Sequence, residues 1–165
     1  MGRSLFALIA LLIAMPAVAQ EPVGCDKFKW PLDRERALLA SPMQVASGGE
    51  VQQPLATAVM VTLVPFADAK LPIAPSRVPK SPDSYAGFVR LSALAKQGTY
   101  RVTLSKGAWI DVIQDGRELK SSAFSGATGC DSIGKSVKFE LAATPFTIEL
   151  SGTMAHAIAV VVTQD

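Results

Sequence analysis

The stretch "QGTYRVTLSKGAWIDVIQDG", residues 97–116, holds two alternating runs split by Lys106-Gly107 and closed by Asp115-Gly116. From Thr99 to Ser105, Tyr100, Val102 and Leu104 fall on one side, and Arg101, Thr103 and Ser105 fall on the other. A period of two belongs to a strand, whose successive side chains point to opposite faces. A second strand follows over Ala108 to Gln114. Asp-Gly between two such runs is a hairpin signal, because both positions tolerate positive φ. It predicts a return strand over Arg117 to Ser121.

The same pattern extends outward. Strands are expected over Tyr85 to Leu91, Lys135 to Leu141, Pro145 to Ser151 and Ala157 to Thr163. Val137, Phe139 and Leu141 oppose Lys138 and Glu140, while Phe146, Ile148 and Leu150 oppose Thr147 and Glu149. Thr57 to Val64, "TAVMVTLV", is almost wholly apolar and suits a central strand. Together these runs predict an all-β fold, an antiparallel, jelly-roll-like β-sandwich of about eight strands with one short N-terminal helix. Residues 65–84, "PFADAKLPIAPSRVPKSPDS", carry five prolines. Proline removes ladder donors and favours extended backbone. The segment is expected to be an ordered surface crossover between the two sheets; a flexible, partner-binding segment is the alternative.

The N-terminal end sets the compartment. Residues 1–19 have Arg3, an apolar run from Leu5 to Ala14, and Ala17-Val18-Ala19, the layout of a cleaved signal peptide. Residues 20–165 then form a single domain, periplasmic or secreted, in a bacterial style. Gly24-Cys25 offers a lipoprotein alternative, although Pro22 and Val23 fit a lipobox poorly. After the leader no apolar run is long enough to span a bilayer.

Two cysteines, Cys25 and Cys130, remain after that cleavage. Export makes a disulfide the default for such a pair. In "CDKFKWPLDRERALLA", residues 25–40, Asp33 is expected to cap a helix over Arg34 to Ala40, ended by Pro42. Two turns are marginal alone, so the helix needs a sheet beneath it. Phe28 and Trp30 are expected to cover the end of the core; a sugar-stacking aromatic lip is the sharper alternative.

Several chemistries are excluded or weak. Without Arg3 the charge is 15 basic against 14 acidic residues, with no basic stripe to grip nucleic acid. One histidine, His156, cannot build a multi-histidine metal site; it is expected to be exposed in the turn before the last strand. Ser122 and Ser125 sit in no GxSxG elbow. Asp111, Asp115 and Glu118 surround the hairpin and raise calcium as a question, but alternation puts Asp111 on a solvated edge. No cofactor and no metal are expected.

From Gly87 onward the chain resembles the bacterial pre-peptidase C-terminal type of β-sandwich through "QGTYRVTLS", "AWIDVIQDG", "PFTIELSG" and "AIAVVVT". With its C-x-x-F-x-W-P start, Cys25 to Pro31, the whole chain also resembles small exported proteobacterial proteins of unknown role. Some of these carry a homogentisate 1,2-dioxygenase label, an activity that implies ferrous iron on two histidines and a carboxylate. One imidazole cannot supply that set.

The function expected is therefore a non-enzymatic binding or accessory module of the cell envelope. Its partner is an envelope protein or polymer, met through the loop from Lys120 to Lys135. The residues singled out are Lys120, Ser122 and Phe124, beside Cys130, with Trp30 and Trp109. An inhibitor or stress protein that inserts residues 65–84 into an envelope enzyme is the alternative.

Overall fold

A computed structural model describes residues 22–165; the expected leader, residues 1–19, lies outside them. In chain order the strands are β1 (Met43–Ala46), β2 (Glu50–Val51), β3 (Val59–Thr62), β4 (Val64–Pro65), β5 (Tyr85–Leu91), β6 (Gly98–Leu104), β7 (Trp109–Gln114), β8 (Arg117–Glu118), β9 (Ala123–Gly126), β10 (Lys135–Leu141), β11 (Phe146–Thr153) and β12 (Ala157–Gln164). The helix α1 covers Asp33–Leu39, and 3-10 turns cover Cys25–Lys27 and Phe66–Asp68.

The strands form two sheets. Sheet I runs β1-β3-β12-β6-β10-β9, and sheet II runs β2-β5-β11-β7-β8 with β4 also on β5. The fold is all-β as expected, but the sheets are mixed. Most pairs are antiparallel, whereas β1 runs parallel to β3 and β2 parallel to β5. The short, irregular sequence at 43–51 has too little alternation to announce either strand.

The alternation read from the sequence is the alternation of burial. Val102 and Leu104 of β6, Phe139 of β10, Val112 of β7 and Ile148 of β11 meet between the sheets in one core. Each such side chain contributes roughly 1.5–3 kcal/mol when fully buried. The Asp115-Gly116 turn has φ of 51° and 73°, the left-handed pair a two-residue hairpin requires, and β7 pairs with β8 across it.

Thr57 to Val64 is not one strand. β3 lies in sheet I, and β4, one residue later, lies in sheet II. The crossing between sheets therefore happens at Leu63, before the proline-rich segment. Residues 66–84 connect β4 to β5 within sheet II and lie across that sheet's outer face. There the Ile73 N–H donates to Glu149 Oε1 (3.0 Å), and the Ser76 N–H donates to Asp111 Oδ2 (3.2 Å).

The outer face of sheet I is covered by residues 22–40. Leu32 and Leu39 pack with Ala58, Ile133, Ala159 and Val161, and Phe28 and Trp30 join them. These rings therefore lie on the outside of a sheet and not over the end of the core. Asp33 is the first residue of α1 and not its cap; Leu32 takes the cap position without a side-chain hydrogen bond. An acid in the first turn still favours the helix dipole, but docking holds the helix. Glu35, 2% exposed, accepts from the Thr163 hydroxyl and from Arg101 Nη1 at 3.5 Å.

Candidate functional site

Three parts of the chain build the site at the β9 edge of sheet I. The first is the crossing from β8 to β9, which carries Lys120 and Ser122, both exposed. Ser122 is tied by its N–H to the Lys138 carbonyl at 2.9 Å. The second is β9 itself. Residues 120–135 have the small-residue composition of a loop, yet Ala123–Gly126 pairs antiparallel with β10. The third is the N-terminal segment. Gly24 N–H donates to the Thr128 carbonyl (2.8 Å), and Thr128 N–H donates to the Pro22 carbonyl (2.9 Å).

The disulfide joins these parts. Cys25 and Cys130 are bonded, with Cα atoms 4.7 Å apart and a sequence separation of 105. A bonded Cys25 has no thiol left for acylation, so the lipoprotein alternative does not describe this state. The bond points to an oxidising, non-cytoplasmic environment. The loop carrying Cys130 also depends on Gly134: a Cβ there would stand 2.3 Å from the Lys106 carbonyl carbon. Only glycine permits so close an approach of two backbones.

Phe124 is 61% exposed on this edge, with Lys29 Nζ 5.0 Å from its ring centroid. Its cross-strand partner is Val137 of the inner core. The Lys29 N–H donates to Ser125 Oγ at 2.9 Å, and that serine is buried. Trp30 donates through Nε1 to Ser136 Oγ (3.1 Å) and lies under Lys138 Nζ at 4.6 Å. A cleft of about 390 Å³ opens here, lined in part by Cys25, Phe28, Lys29, Trp30 and Arg36. Phe124, Trp30 and Cys130 thus belong to one region, which Ser122 borders through its bond to Lys138.

Trp109 does not belong to it. It stands on β7, in the other sheet, where Nε1 donates to Ser76 Oγ (2.7 Å) and Asp111 Oδ1 (2.9 Å). Arg77 and Lys135 approach its ring at 5.1 and 4.6 Å. Burial lowers the Lys135 pKa, and the Arg77 charge adds to that shift. Asp111 faces outward as alternation required, but it is 3% exposed beneath the proline-rich segment and not on a solvated edge. Glu149 lies directly across the ladder from it. Burial raises the Glu149 pKa above the ordinary glutamate value; Ile73 opposes the shift, and Asp111 and Glu118 add to it. In sequence Glu149 carries no such signal, because "FTIEL" has the alternation of a strand with one solvated face.

His156 is exposed, as expected, and stacks on Tyr85 with centroids 4.2 Å apart. No cluster of three or more metal-ligating side chains occurs among the described residues, and the residues present do not fit an iron site of two histidines and a carboxylate. A second cleft, of about 400 Å³, lies at one end of sheet II beside Glu50, Arg90, Asp115 and Phe146. Among the described residues no helix is long and apolar enough to cross a membrane. Compared with family models, curated proteins and solved structures, the chain matches none, and the reading of its function rests on the site itself.

Proposed function

We propose that the protein is a non-enzymatic binding or accessory module of the bacterial cell envelope, periplasmic or secreted. It meets an envelope protein or polymer at the β9 edge of sheet I. One observation carries this reading: a large aromatic, Phe124, is held out to solvent on a strand that a ladder, a disulfide and the N-terminal segment all immobilise. Exposed rings on rigid supports lose little entropy on binding, which is why they dominate interface energetics. Lys29 over the ring suits a partner with acidic groups.

The test compares wild type with Phe124→Ala for retention of envelope proteins and for glycan-array signals. Loss of the strongest partner by tenfold or more is expected, with the melting temperature unchanged. Identical partners and signals for both proteins refute the reading.

A second reading has its own observation. Val78, at the tip of the proline-rich segment, is 81% exposed while Asp111 and Glu149 hold the segment behind it. An exposed apolar side chain on a braced segment is what an inhibitor offers to an enzyme cleft. If envelope protease or lytic activity is inhibited by the protein, Val78→Asp should abolish the inhibition; unchanged inhibition removes this reading.

A further inference from the structure

The two sulfurs of the disulfide are not equivalent. Cys25 is exposed and lines the cleft beside Phe28 and Lys29, whereas Cys130 is half-buried. Arg36, from α1, brings Nη2 to 3.7 Å from Cys130 Sγ. Arg36 makes no ion pair among the described residues, and its buried Nε finds no hydrogen-bond partner among them. A guanidinium without a carboxylate, set against one sulfur, favours negative charge on that sulfur. Asp26 and Asp131 each adjoin one of the cysteines in sequence, so acidic neighbours do not separate the two. Lys27 is already paired with Asp26 at 2.7 Å. The Asp131 carbonyl oxygen, 3.8 Å from Cys130 Sγ, opposes negative charge there, but with a partial charge against the full charge of Arg36. Arg36 and the difference in exposure are what favour Cys130 as the leaving sulfur.

We propose that Cys25 is a site of thiol–disulfide exchange with an external dithiol, and that Cys130 is the leaving group. A thiolate of the dithiol attacks Cys25 Sγ in line with the S–S bond. A new bond forms between the incoming sulfur and Cys25, the Cys25–Cys130 bond breaks, and its electron pair leaves on Cys130 as a thiolate beside Arg36. The second thiolate of the dithiol then attacks the incoming sulfur and releases Cys25 as a thiolate, which takes a proton from water. The dithiol is oxidised to a disulfide and the protein is reduced by two electrons. Rates of such exchange rise as the pKa of the leaving thiol falls, and Arg36 acts on that pKa as a positioning residue. After the exchange α1 remains docked through Leu32, Leu39 and Glu35, and the hydrogen bonds between Pro22, Gly24 and Thr128 still tie the segment before it. This inference does not depend on the binding role proposed above.

The experiment treats the oxidised protein with limiting reduced glutathione as a one-thiol probe, blocks free thiols with an alkylating reagent, and maps the products by peptide mass. Glutathione on Cys25 with alkylated Cys130 is expected to exceed the reverse product by at least about tenfold. Arg36→Gln should slow reduction by dithiothreitol roughly three- to tenfold and raise the thiol pKa of Cys130 in the reduced protein, while Arg36→Lys restores part of both. Equal labelling of the two cysteines, or reduction only at the rate of global unfolding, overturns the proposal. The labelling pattern is read in the unsubstituted protein, so it decides the matter even if a variant fails to fold.

Discussion

Each sheet of this sandwich has its outer face covered by a strap of chain, and the two straps are held by different physics. The N-terminal strap over sheet I has a helix, apolar side chains from Leu32 and Leu39, a buried carboxylate paired with Thr163 and Arg101, and a disulfide. The proline-rich strap over sheet II has no α-helix, only the 3-10 turn at Phe66–Asp68, and no covalent tie. Its held points are backbone and hydroxyl groups of Ile73 and Ser76 donating to carboxylates that rise from the sheet, Glu149 and Asp111. Proline explains part of the contrast: with φ fixed in advance, the segment loses less entropy on ordering. The pairing beneath it is also less complete. Glu149 Oε2, Ser151 Oγ and Ser84 Oγ are buried without partners among the described residues. The lesson is that apolar docking tolerates tension elsewhere, while a strap held by carboxylates is sensitive to their charge.

The largest effect should come from removing the covalent tie. Replacing both Cys25 and Cys130 by serine is expected to cost about 2–5 kcal/mol, read from urea unfolding under non-reducing conditions. A loss below ~1 kcal/mol would mean that apolar docking alone fixes the N-terminal strap. Next is Asp111→Ala. It removes the acceptor of the Ser76 N–H and hydroxyl, while Trp109 Nε1 keeps Ser76 Oγ; with Ser76 open to solvent the expected cost is about 1 kcal/mol. Limited proteolysis should then cut within residues 66–84 while the rest of the domain stays intact; resistance equal to wild type would show that the prolines hold the strap unaided.

The two faces should also answer pH in opposite directions. The folded-state pKa of Glu149 is raised, so its contribution is complete below the ordinary glutamate range and is lost as pH rises through the raised value. Glu149→Gln keeps the acceptor for Ile73 and should stabilise the protein by on the order of 1 kcal/mol at high pH, with no gain in acid. Asp165 is the reverse case: Lys138 and Arg101 lower its pKa, so its contribution is present above the ordinary aspartate range and is lost as pH falls through the lowered value. Thermal melts of Glu149→Gln and Asp165→Asn across pH should move the two limbs of the stability curve separately; a shift of the same limb in both would sink the contrast. The smallest effect belongs to Phe124→Ala, within about 0.5 kcal/mol, because a ring this exposed adds little to the fold. A larger loss in calorimetry would make it a core residue and weaken its part in binding.

The sequence was legible wherever a side chain's own period decided its place. β5 and β10 have the bounds that alternation drew, and the Asp115-Gly116 hairpin forms as its turn chemistry demands. The cysteine pair was legible too, since the expected export would leave two isolated thiols only each other. By contrast β9 was hidden in a small-residue loop, because "AFSG" gains strand form only from its ladder to β10. Part of the candidate site was legible as well: Phe124, Trp30 and Cys130 were named, and they share a region. Trp109 was grouped with that region, yet its strand belongs to the other sheet, because sequence distance says nothing of which layer a strand joins.

What the chain determined by itself, then, is the all-β class, the inward faces of its long strands and the bridge, since these follow from local periodicity and from simple counting. Only the tertiary structure decided that both outer faces are covered. Polar residues at alternate positions look solvated in any one strand. Asp111, Glu149 and Thr103 became buried because segments distant in sequence cross over them, and that is a property of topology and not of any window of residues.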